Sequence, residues 1–129
     1  MTERQIEEQK RLLRNCPKPL TREQEILSKE LDIRHMMISN LAYHGDYFKM
    51  VKEPWYVRNS HGKYDWDDLK KLGVKNAYQR VQQIWAEMKR DFKAHATIIP
   101  NSGHDSEGLW YNSIVWDDQP SKGGQYGQT

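Results

Sequence analysis

Residues 65–92 read DWDDLKKLGVKNAYQRVQQIWAEMKRDF, and the fold turns on that stretch. Ala77, Val81, Ile84, Met88 and Phe92 recur at three- and four-residue steps, with Tyr78 and Trp85 widening the stripe. The spacing predicts a long amphipathic helix over 76–95 with one face in a core. Just upstream, Asp65 is placed to cap a short helix over 66–72. Asp67 and Asp68 there complement the positive helix end, and Leu69 and Leu72 supply an inward face. Gly73 then ends the short helix as a left-handed turn residue. The outer face of the long helix holds Asn76, Gln79, Arg80, Gln82, Gln83, Lys89, Arg90 and Lys93, with Glu87 and Asp91 as its acids. Such residues are good helix formers on a solvated surface, and amides and guanidinium groups also read adenine and guanine edges.

Downstream of His95 the apolar period changes. Residues 96–99 form a short β-type run, 100–108 is full of turn residues, and 109–116 is again rich in aromatic and branched side chains, so a β-hairpin is expected within 96–116. Leu72, Gly73 and Val74 match the hydrophobe, glycine and hydrophobe of a helix-turn-helix turn, and for about 20 residues the segment resembles that motif. Asp68, Gln79 and Gln82 stand where the motif carries apolar residues, while Val81 and Ile84 pack from displaced positions. Helix, turn, helix, hairpin is the order of a winged helix. The resemblance implies a mainly helical α+β fold whose second helix lies in the groove of double-stranded DNA. Lys75, Asn76, Gln79, Arg80 and Gln83 would then face the groove, and Lys70 and Lys71 would touch phosphate. The hairpin region departs from a phosphate-contacting wing: from residue 96 onward Lys122 stands alone against Asp105, Glu107, Asp117 and Asp118, the wrong sign for DNA.

The N-terminal half is helical in a plainer way. Thr2 with Gln5, and Thr21 with Gln24, have the capping-box spacing. They are separated by Asn15-Cys16-Pro17-Lys18-Pro19, where two prolines break a helix. The second helix carries Ile26, Leu27, Leu31, Ile33, Met37, Ile38 and Leu41. The first has only Ile6, Leu12 and Leu13, so residues 1–15 are expected to be a helical arm that contributes little core and is available for a homodimer. Gly45 closes the second helix. Tyr47, Phe48, Trp55, Tyr56 and Val57 follow as an aromatic segment with at most a short strand near 55–58. A single globular domain over 20–117 and a disordered tail over 118–129 complete the expected organisation.

The chain has 129 residues and a net charge of +2, unevenly placed: residues 35–95 hold 11 Lys and Arg against 7 Asp and Glu. A mildly basic body permits nucleic acid. Mean hydropathy is −1.01, and no run approaches the roughly 20 apolar residues of a membrane span. The charged N-terminus has no signal-peptide core and Cys16 stands alone, so a reducing, cytoplasmic setting is expected. His44, Asp46, His61, His104 and Asp105 have no recognised metal spacing, and Cys16 has no neighbouring base. No cofactor, metal or catalytic residue is expected. Two non-enzymatic classes remain, a small DNA-binding regulator or mobile-element factor, and an interaction module that inhibits or adapts a larger machine through Trp110, Tyr111, Trp116, Asp117 and Asp118.

Overall fold

Helix α1 (Glu3–Arg14) begins where Thr2 and Gln5 exchange hydrogen bonds: Gln5 N donates to Thr2 Oγ1 at 3.3 Å and Thr2 N donates to Gln5 Oε1 at 2.9 Å. Thr21 and Gln24 repeat the arrangement at 2.9 and 3.2 Å and start α2 (Arg22–Tyr43). Each box satisfies backbone N–H groups that a first helical turn leaves orphaned. The computed structural model describes residues 1–43 and 65–118. The expected close of α2 at Gly45, the aromatic segment of 47–57 and the tail beyond Asp118 lie outside the described residues. Helix α3 (Asp65–Lys71), α4 (Ala77–His95), β1 (Ala96–His104) and β2 (Trp110–Trp116) follow. Among the described residues the chain is thus a mainly helical α+β fold of four helices and one antiparallel hairpin.

Helix α3 starts one residue earlier than expected, because Asp65 is its first residue and not its cap. Its end follows the sequence. Gly73 has φ +85°, Gly73 N donates to Lys70 O at 2.9 Å and Val74 N donates to Leu69 O at 3.0 Å, the paired bonds of a Schellman termination. Arg22 locks this turn from α2, donating to Leu72 O at 2.6 Å and Gly73 O at 3.0 Å. A β-carbon at Gly73 would stand 2.5 Å from the Arg22 guanidinium. Both the left-handed backbone and the clamp therefore require glycine.

The core is built on the stripe of α4: Ala77, Val81, Ile84, Trp85, Met88 and Phe92 are all buried. Leu31, Ile33, Met37, Ile38 and Leu41 of α2 and Leu69 of α3 pack against it. The hairpin grows directly from α4, with Ala96 adopting extended geometry while its N–H still bonds Phe92 O. Trp116, 1% exposed, packs on Phe92 with ring centroids 4.7 Å apart. Strand β1 is longer than the sequence suggests. Pro100–Ser102 does not turn the chain but forms an irregularity between Ile99 and Gly103, held by Asn101 N donating to Asn112 Oδ1 at 3.1 Å and by a Ser102–Ser113 hydroxyl contact. The turn occupies only 105–109, where Asp105 Oδ1 accepts from Glu107 N and Leu109 N, and Gly108 has φ +84°.

The expectation of a loosely attached arm at 1–15 does not match α1. Ile6 is fully buried and Leu13 nearly so, with Met1 and Cys16 packed beside them. The Met1 ammonium pairs with Asp91 of α4, Thr2 Oγ1 bonds Asp118, and Arg4 donates to Asp118 O at 2.8 Å. Lys10 pairs with Asp32 of α2 at 3.2 Å. Two buried apolar residues suffice because they are combined with tethers to both α4 and Asp118, just beyond the hairpin. Ile6→Ala is therefore expected to cost about 2–5 kcal/mol, as for emptying a buried aliphatic site. Leu12→Ala, at a residue 52% exposed, should stay within about 0.5 kcal/mol. Urea denaturation of both variants checks this, and equal, negligible losses would show α1 to be detached.

Candidate nucleic-acid interface

Burial of one stripe of α4 fixes what its opposite side presents. Gln79, Gln82, Gln83, Ala86, Lys89, Arg90 and Lys93 are exposed along it. Lys75 and Asn76 are exposed at its start, and Lys70 and Lys71 are exposed on α3. Asn76 takes a left-handed conformation, φ 55°, and makes no side-chain capping bond, so its amide is not committed to the first turn of the helix.

The two acids of α4 are both paired, Asp91 partly buried and Glu87 at the edge of the exposed face. Glu87 Oε2 accepts from Arg34 of α2 at 3.3 Å, and Asp91 meets the Met1 ammonium. The Arg34 side chain is only 6% exposed, so its charge is held inside against Glu87. Each of the two carboxylates thus meets a cation from elsewhere in the fold, Asp91 also standing 3.6 Å from Arg90, and the exposed face of α4 is left with three cations, three glutamines and, at its edge, only the paired Glu87. A cluster of this sign attracts polyanions.

Arg80 corrects the sequence reading. Expected in the groove-facing set, it is only partly exposed and forks onto Glu30 of α2, Nε to Oε2 at 2.8 Å and Nη2 to Oε1 at 2.7 Å. Hydrogen bonding to Glu30 raises the guanidinium pKa above its ordinary value. Its other nitrogen reaches Gln83 Oε1 at 3.4 Å. A bidentate arginine with both ends occupied is a clamp between helices. Its partner lies 50 residues upstream, and no local signal in α4 announces it. Of the expected set, Lys70, Lys71, Lys75, Asn76, Gln79 and Gln83 are exposed on the turn and the adjoining α3 and α4 surfaces. Gln82, Lys89, Arg90 and Lys93 extend that face, and the 3.6-residue period alone was sufficient to find them.

The alternative, partner-binding set is largely consumed by the fold. Trp116 is core, Tyr111 lies over Gly103, Asp117 Oδ2 meets His95 Nδ1 at 2.8 Å, and Asp118 bonds Thr2 and Arg4. Only Trp110 and Asp117 of the five stand in solvent, Trp110 being 60% exposed and tilted on His104. Among the described residues no group of three or more His, Cys, Asp or Glu side chains is placed to hold a metal ion. His44, Asp46 and His61 lie outside them. Cys16 Sγ donates to Leu12 O at 3.3 Å. Among the described residues no helix is long and apolar enough to cross a membrane. Comparison with protein-family models, curated proteins and solved structures finds no match.

Because Arg80 is a clamp, Arg80→Ala is expected to act on stability. The pair is neither fully buried nor fully exposed, which places the loss between the two regimes, at about 1–2 kcal/mol. Glu30→Gln should lose a similar amount, and the double variant less than the sum of the two. Thermal melts of the three proteins measure this, and full additivity would show that the two side chains do not act together.

Proposed function

We propose that this chain is a small non-enzymatic protein that binds double-stranded DNA, with α3, the 72–76 turn and α4 acting as a helix-turn-helix and the hairpin in the position of a wing. The observation that carries this reading is the outer face of α4, whose two neighbouring carboxylates, Glu87 and Asp91, are neutralised by pairing with Arg34 and the Met1 ammonium. The helix has 19 residues, about 28 Å at 1.5 Å per residue, and the major groove admits such a cylinder.

Division of labour follows from chemistry. Gln79 and Gln82, with Asn76, offer amides that donate and accept together, as an adenine edge requires, and Gln83, whose Oε1 accepts from Arg80, offers its amide donor. Lys70, Lys71 and Lys75 at one end, and Lys89, Arg90 and Lys93 at the other, offer point charges to phosphate, which position the helix without reading sequence. The hairpin end carries Glu107 and no exposed cation, so it stays off the duplex. In this reading it is a wing by position and not by contact.

If all six cations meet phosphates, the logarithm of the binding constant should fall with the logarithm of salt at a slope near −5, at about 0.9 per contact. Fluorescence anisotropy on labelled duplexes of random and selected sequence, at several salt concentrations, measures it. Lys70→Ala or Lys93→Ala should weaken binding almost equally on all sequences and reduce the slope by about one. Gln83→Ala should instead lower discrimination between sequences by about 1–3 kcal/mol. A protein that shows no salt-sensitive binding to duplex DNA overturns the reading.

A further inference from the structure

Two features of the molecule, which share only Lys71 with the DNA reading, match each other. The first is a groove where the end of α1, the start of α2 and the end of α3 meet. One hollow of about 220 Å³ is lined by Leu13, Arg14 and Lys18, and a second of about 300 Å³ by Lys29, Lys71 and Leu72. Leu20 and Ser28 belong to both, so the two form one continuous groove. Its floor is leucine. Lys29 is paired with Asp68 at 3.7 Å and Lys18 donates to Leu13 O at 3.1 Å. Arg14 and Lys71 are exposed at the rim; of the three acids that line the groove, Asp68 and Asp32 pair with Lys29 and Lys10, which leaves Glu25 against Arg14, Lys18 and Lys71. The larger hollow is at the lower end of the volumes that enclose organic ligands, about 300–1,000 Å³.

The second feature is the hairpin end. Leu109 and Trp110 are 57% and 60% exposed, the two most exposed large apolar side chains described. Beside them stand Asp105 and Glu107, and no lysine or arginine occurs from Ala96 to Asp118. A tryptophan in solvent on an acidic hairpin is the complement of a leucine-floored groove with a basic rim. The two cannot meet within one molecule. Asn112 Nδ2 donates to Leu41 O, so the hairpin leaves the body at the far end of α2. Leu41 lies thirteen residues, about 20 Å, from Ser28. Trp110 is only two strand residues, about 7 Å, beyond Asn112.

We infer that the hairpin end of one chain seats Leu109 and Trp110 in the α1–α2–α3 groove of a second copy, with Glu107 facing Arg14 and Lys71. This goes beyond the DNA reading and does not depend on it. The donor and acceptor patches are different surfaces, so the contact is either reciprocated in a closed pair or continued from copy to copy.

Sedimentation of the full chain over a wide concentration range tests it. Self-association is expected, weakened at least tenfold by Trp110→Ala and by a rise from low to high salt. Glu107→Lys and Arg14→Glu, each checked for an unchanged thermal melt, should both self-associate poorly, because each sets like charges at the contact. An equimolar mixture of the two should recover association, since each then offers the other the opposite sign. A wild-type chain that stays monomeric throughout overturns the inference. So does self-association that survives Trp110→Ala, or a mixture that fails to recover it. Occupation of the groove by an unrelated acidic peptide while the chain remains monomeric overturns it equally.

Discussion

Everything else in the molecule depends on how α4 is seated on α2. Val81, Ile84 and Met88 are fully buried there, and a single-residue step of rotation, about 100°, would carry them into solvent. Charge fixes the lengthwise register as well. Along α2, Glu30 precedes Arg34. Along α4, Arg80 precedes Glu87, and the pairs are Glu30 with Arg80 and Arg34 with Glu87. Reversing or sliding one helix would bring acid against acid and base against base, an arrangement that is costly at low exposure. Greasy contact alone tolerates several registers; this alternation selects one, and with it the side chains that are left facing outward.

Most of this architecture was legible in the residues. The period of Ala77, Val81, Ile84, Met88 and Phe92 located α4 and its buried side. Thr2 with Gln5 and Thr21 with Gln24 located two helix starts to the residue, since capping chemistry acts over three positions and is therefore local. Gly73 located the turn for the same reason. What could not be read locally was who pairs with whom across the fold. Arg80 looks free on its own helix and is occupied by a residue on α2. Glu87 and Asp91 look like free acids on a basic face and are neutralised there by Arg34 and the Met1 ammonium. The site gained and lost members by long-range charge pairing, for which a single helix carries no record.

Helix α1 illustrates a second limit of counting apolar residues. Ile6 and Leu13 are few, yet both are buried, and the segment is fastened at its beginning by polar contacts to Asp91 and Asp118. Those contacts bring the start of the chain against the residues that follow β2. The ends of the described fold therefore lie together, and the N-terminal turn acts as a latch over the junction between α4 and the hairpin. A composition argument sees weak hydrophobicity and forecasts detachment, whereas the geometry makes the same segment a fastening.

The junction itself contains no loop: His95 ends α4 and Ala96 begins β1, with Asp117 N bonded to His95 O and the two side chains paired across it. A helix and a strand that share a continuous backbone have no hinge between them, and the orientation of the hairpin is geared to the rotation of α4. One inserted residue at this point would exchange the two faces of β1 and swing Ile98 outward. Length variation in the chain should consequently accumulate at the 105–109 turn and be excluded from residues 95 and 96, where the hairpin behaves as a rigid pointer on the end of the helix.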